Sequence, residues 1–270
     1  MRVLSSRSGV PSLLSAAASF ATAGHPPASL QTEHFKISTI YTLGAEGAAI
    51  SANVAARCES DYAKISSWFS ITPPKQNPST FTVIIAPLST YADGTGGAFH
   101  HTCEASDIYC DVKLAPAPDY NFTNALLVAE EVEVFSAAQG RGWNCGASNG
   151  EGLSRVLAEA LYPGTLDDFS VASSWLDSER SDWVNATNYT DVDPITNGCA
   201  VLFLNWMHER QKHEWGTICQ AGGDTLAETY RRVTDTTINP FDIFRHDIDE
   251  MFPIGQASNL TTDNPFAAKK

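Results

Sequence analysis

No apolar run in the 270 residues approaches the roughly 18 needed to span a bilayer, so nothing in the chain reads as a membrane anchor. Positive charge is scarce: 17 Lys and Arg stand against 31 Asp and Glu, a formal net charge of −14, with no Lys/Arg cluster to offset it. That balance excludes the electrostatic footprint of a nucleic-acid binder and of a protein that docks on anionic lipid. Internal repeats, low-complexity tracts and domain-separating linkers are also absent, which excludes solenoids and strings of modules. A chain of this length buries a substantial core. One α+β domain with two lobes, about 33–140 and 141–256, is the simplest organisation, followed by a polar, mobile tail over 257–270.

Residues 1–32 carry no acidic residue, two arginines and seven serines, with an apolar and small-residue stretch over 10–20 that runs into Ala21-Thr22-Ala23. This fits a secretory leader cleaved after Ala23; it fits a transit peptide or a disordered segment as well. Six cysteines, at 58, 103, 110, 145, 199 and 219, and four glycosylation sequons at Asn121, Asn185, Asn188 and Asn259 point to a secreted, disulfide-bonded glycoprotein. Cys103 with Cys110 is the tempting local pair.

Residues 33–40 alternate as a first strand, and a helix over about 44–69 carries a seam of Val54, Cys58, Tyr62, Ile65 and Phe69. Phe81-Thr82-Val83-Ile84-Ile85-Ala86 is the strongest strand signal, followed by a glycine-rich turn at 93–97 and a strand pair over 98–102 and 108–112. Thr123 or Asn121 can cap the next helix. The polar stretch 165–193, with Trp175 and Trp183, can form a cleft rim. Helices then follow from Pro194, after Gly222-Gly223-Asp224 and from Asn239-Pro240.

The segment 126–163 carries the chemistry. Its first run, Leu126-Leu127-Val128-Ala129-Glu130-Glu131-Val132-Glu133-Val134-Phe135, is apolar around nearly its whole circumference, as a buried helix is. Glu130 and Glu133 nevertheless share one face, and a buried carboxylate must be paired, hydrogen-bonded or bound to a metal. Ser148-Asn149-Gly150-Glu151-Gly152-Leu153 opens a second amphipathic helix, so two helices offer three carboxylates.

This layout resembles the gluzincin metallopeptidases of the peptidase MA-like, zincin-like fold. There one helix carries His-Glu-x-x-His and the next supplies a Glu as third zinc ligand. The register sets Ala129-Glu130-Glu131-Val132-Glu133-Val134-Phe135 on His-Glu-x-x-His-Val-Phe, and Glu151-Gly152-Leu153 on the third-ligand segment. The resemblance implies a mixed N-terminal sheet, a mainly helical C-terminal lobe, and an edge strand lining the cleft ahead of the first helix. Both histidines are missing, Ala129 and Glu133 standing in their places, so conventional zinc chemistry is not implied and no metal or cofactor is assigned.

Three functions remain open: an inactive relative whose cleft binds a protein, peptide or glycan; a metal-independent hydrolase, of glycosidase type for example, using Glu130, Glu133 and Glu151; or a hard-cation site on the same carboxylates. Trp143, Asn149, Arg155 and His100 are the candidate binding residues. Of His100 and His101, adjacent in a strand, only one can face the cleft, and both are otherwise ordinary edge side chains. The plainer roles are a Ser148–Glu151 capping box, an Arg155–Glu151 helix pair, Arg141 or Arg155 beside Glu130 and Glu133, and Glu131 reaching solvent or a lysine.

Overall fold

The computed structural model describes residues 29–71, 80–88, 97–103, 105–115 and 117–267. The leader with its cleavage site after Ala23, and most of the glycine-rich turn, lie outside them. Five strands form one mixed sheet in the order β1-β2-β3-β5-β4: β1 (Ser29–Gln31), β2 (Phe35–Thr39), β3 (Phe81–Ile85), β4 (Ala98–His100) and β5 (Asp107–Cys110). The central three are parallel, and β1 and β4 run antiparallel at the two edges. Phe35, Ile37, Val83, Ile85, Ile108 and Cys110 are buried at alternate positions, as the period-2 pattern requires. Strand β1 lies ahead of the first strand read from sequence, within the stretch assigned there to the leader.

Helix α1 (Gly44–Phe69) is the crossover between parallel β2 and β3, and its whole seam is buried. Helix α2 (Tyr120–Gln139) packs on α1, on α3 (Ser148–Leu161) and on the β4–β5 edge of the sheet, so three layers cover its apolar circumference. Its N-cap is Asp119, whose carboxylate accepts the amides of Asn121 (3.0 Å) and Phe122 (3.3 Å). Asn121 and Thr123 are not caps; Thr123 instead donates its hydroxyl to the Asp111 carbonyl.

Helix α3 starts without a side-chain cap at Ala147, so the expected capping box does not form. Ser148 Oγ accepts the Asn188 amide (3.2 Å), and the Glu151 carboxylate is left free for Arg155. The two glycines flanking Glu151 explain its placement. A Cβ on Gly150 would collide with the Asn144 carbonyl, and one on Gly152 would lie 2.5 Å from Ala200 Cβ. α3 thus sits directly on the preceding loop and on α5.

Five further helices complete the C-terminal lobe: α4 (Ala172–Leu176), α5 (Pro194–Glu209), α6 (Trp215–Gln220), α7 (Leu226–Thr234) and α8 (Pro240–Met251). α7 is capped by Thr225, not by the glycines before it, while Asn239 caps α8. Trp175 lies in the core, stacked on Phe244, rather than on a cleft rim. The tail is docked: Asp263 accepts the amides of Val171 (2.7 Å) and Ala172 (2.8 Å), and Leu260 and Phe266 pack on the core.

The disulfide joins Cys103 to Cys145, across 42 residues of sequence. Cys110 cannot be the partner, because strand alternation turns it with Ile108 into the core, where it remains a buried thiol with Cys58, Cys199 and Cys219. Among the described residues no helix is long and apolar enough to cross a membrane. Gly152→Val should cost about 1–3 kcal/mol through overpacking against α5; the urea midpoint measures it, with an unchanged m-value.

Candidate functional site

A cavity of about 310 Å³ lies between α2, α3, the start of β4 and the segments around residues 166–171 and 191–197. Glu130 and Glu133 enter it from α2, one turn apart on the face that carries Ala129. Glu151, Ser154 and Arg155 enter from α3. The three glutamates meet because α2 and α3 pack face to face, with the short loop between them folded back on the C-terminal lobe.

Each carboxylate has a different partner. Glu133 Oε2 lies 2.8 Å from His100 Nε2, and Glu130 Oε2 lies 3.5 Å from the same nitrogen. The imidazole side chain is only 4% exposed. His100 Nδ1 meets the Thr102 carbonyl, which fixes the ring and turns Nε2 toward the glutamates. Glu151 Oε1 accepts from Arg155 Nε at 2.6 Å, and Arg155 also donates to the Phe169 carbonyl (2.9 Å), tying the cleft wall to α3.

These contacts set the protonation of the site. Burial pushes Glu130 well above the ordinary carboxylate range, and the charges of Glu133, Glu151 and Asp191 push it further. Burial raises Glu133 to about 7, with the hydrogen bond from His100 opposing and Glu151 reinforcing the rise. Burial alone would lower His100, but its hydrogen bond to Glu133 and that residue's charge outweigh it, so its pKa is raised. Glu133 and His100 therefore form a buried hydrogen-bonded pair, while at Glu130 burial and three neighbouring carboxylates all favour the neutral acid.

The remaining candidates lie elsewhere. Trp143 is a plug on the core rather than a cleft lid, buried against Gly222 with its Nε1 donating to the Cys219 carbonyl at 3.0 Å. Asn149 is buried too, its Nδ2 donating to the carbonyls of Gly142 (3.0 Å) and Gly223 (3.1 Å). Both fasten the α2–α3 loop. Arg141 points outward to the Gln220 carbonyl and meets none of the glutamates. Glu131 does not reach solvent: it is fully buried toward α1, both oxygens lacking a hydrogen-bond partner, and burial with the nearby charges of Asp61 and Glu59 drives its pKa far upward.

Ser154, Asp191 and Asn197 are further polar residues of the lining. Ser154, three residues after Glu151, was legible from helical spacing; Asp191, in an irregular loop, left no such signal. No protein-family model matches the chain, and no curated protein matches it either.

Glu131 makes stability pH-dependent. Its carboxyl ionises near 4.5 when unfolded and far higher when folded, so the native state binds the extra proton and stability falls as pH rises above about 4.5, by about 1.4 kcal/mol per unit for each such group. Glu131→Met should flatten that slope and raise stability at pH 7, as read by denaturant melts between pH 4 and 8; a slope unchanged by the substitution would contradict it.

Proposed function

We propose that the chain is a zincin-like protein of the gluzincin type whose cleft binds a ligand without a catalytic zinc. The observation that carries this reading is the state of the three positions at which the resemblance sets metal ligands. Ala129 has no donor atom, Glu133 is hydrogen-bonded to His100, and Glu151 is ion-paired with Arg155. A catalytic zinc site takes three protein ligands, mostly neutral imidazole, around one open position. This donor set does not fit: Arg155 and His100 already engage the carboxylates that an ion would need, and they weigh against a hard cation in the same way.

Support for the fold part of the reading is the chain order: a mixed sheet, an antiparallel edge strand beside the cavity, the carboxylate helix α2, then the glutamate helix α3. The occupant suggested by this surface is an extended peptide. Among the described residues no strand pairs with the outer edge of β4, the side on which an extended peptide would add by strand pairing. The cavity combines acidic groups with an apolar rim that includes Leu166, Phe169 and Val192, the last 68% exposed. The Cys103–Cys145 disulfide supports a secreted, oxidising setting.

A second reading rests on Glu130, a carboxyl at the cavity wall whose pKa burial pushes well above the ordinary range, beside Glu133 raised to about 7. That pair is the minimum for general acid/base hydrolysis. Under it, Glu130→Gln would lower a hydrolytic rate on peptide or glycan substrates by about 10²-fold or more; under the binding reading the same variant keeps its fold and shows no activity to lose.

The zincin-like register has a direct test. The double substitution Ala129→His/Glu133→His sets two imidazoles one helical turn apart facing Glu151. It should bind about one zinc per chain by elemental analysis after gel filtration, with much less in the parent protein. No zinc gained by a folded double variant would overturn the register.

A further inference from the structure

We propose that reduction of the Cys103–Cys145 disulfide uncovers a metal site for zinc or a similar borderline-soft divalent cation, held by Cys145, His100 and Glu133. The three side chains come from separate elements: the α2–α3 loop, strand β4 and helix α2. One ligand atom from each lies within 4.8 Å of the others. Mixed sulfur, imidazole and carboxylate sets of this kind suit zinc, whose bonds of about 2.0–2.3 Å require the cluster to contract by about 1 Å.

The surroundings are already arranged for it. The Thr102 carbonyl engages His100 Nδ1 and presents Nε2, the orienting contact that metal-bound imidazoles commonly have. Trp143 and Asn149 fasten the α2–α3 loop to the Cys219 and Gly223 carbonyls independently of the disulfide, so Cys145 keeps its place when the bond opens. Both bridged cysteines are half-buried and open to a reductant, whereas the other four are buried thiols and poor ligands. The inference stands on these contacts and not on the zincin-like register.

The chemistry balances in two steps. A dithiol transfers two electrons and two protons to the disulfide, leaving Cys103 and Cys145 as thiols and itself as a cyclic disulfide. The divalent cation then displaces the Cys145 thiol proton and the proton of the His100–Glu133 hydrogen bond, releasing both to solvent.

Cobalt(II) reports such a site optically. Protein reduced with dithiothreitol and desalted under argon should bind one Co²⁺ per chain, with sulfur-to-cobalt charge-transfer absorption that Zn²⁺ bleaches, while the disulfide-bonded protein should not. Cys103→Ser, which frees Cys145 without reductant, should bind likewise. Reduced Cys145→Ser should lose the charge-transfer band, and reduced Cys145→Ser and His100→Ala should each bind at least 100-fold more weakly. Absence of the band in both reduced protein and Cys103→Ser, or its persistence in Cys145→Ser, would overturn the proposal, as would loss of fold by circular dichroism in both thiol forms. Stoichiometric zinc in the disulfide-bonded protein would overturn the metal-free cleft instead.

Discussion

A carboxylate taken out of water needs a cation, a hydrogen bond or a proton, and this fold takes four glutamates out of water around a single helix pair. Helix α2 is buried over most of its circumference because its apolar residues hold the sheet to the C-terminal lobe, so its acidic face opens only into the cleft. Glu133 and Glu151 are met by one imidazole and one guanidinium. At Glu130 and Glu131 burial drives the pKa well upward, toward the protonated form.

Arg155 links this electrostatic arrangement to the shape of the cleft. It joins Glu151 to the Phe169 carbonyl, and the same wall segment is held from behind by Asp263 through the amides of Val171 and Ala172. Asn205 in turn donates to the Asp263 carbonyl (2.9 Å), so α5 and the C-terminal segment together brace the wall. On the opposite side the α2–α3 loop is fixed by Trp143 and Asn149, and the glycines beside Glu151 allow α3 to approach it. Residues far from the cleft in sequence thus determine which charges face one another inside it.

The sequence carried the periodic elements well. Apolar spacing located α1 and its seam, alternation located β2 and β3, and helical phase placed Glu130 and Glu133 on one face and Arg155 beside Glu151. What it did not carry were contacts made by irregular backbone. The disulfide partner of Cys103 depends on a loop folding back across 42 residues. Trp143 and Asn149 read as binding residues because a polar, glycine-rich loop looks the same whether it lines a cleft or clamps a turn. Glu131 was read as solvent-facing because local patterning does not reveal that α1 covers that side. The docking of the tail likewise rests on single polar contacts, of Asp263 with the Val171 and Ala172 amides and of Ser258 with Asp177, with no periodicity to mark them.

The most direct test of this account is the titration of the buried carboxyls themselves, by carbon NMR of protein labelled at the glutamate side-chain carboxyl, with Glu130→Gln and Glu133→Gln assigning the signals. The account predicts a Glu130 carboxyl that titrates well above the ordinary carboxylate range, a Glu133 signal that titrates near 7, and a His100 imidazole raised above its ordinary value. Both titrating independently near the ordinary value of 4.5 would mean that the glutamates are solvated and apart, and that no charge-paired cleft exists.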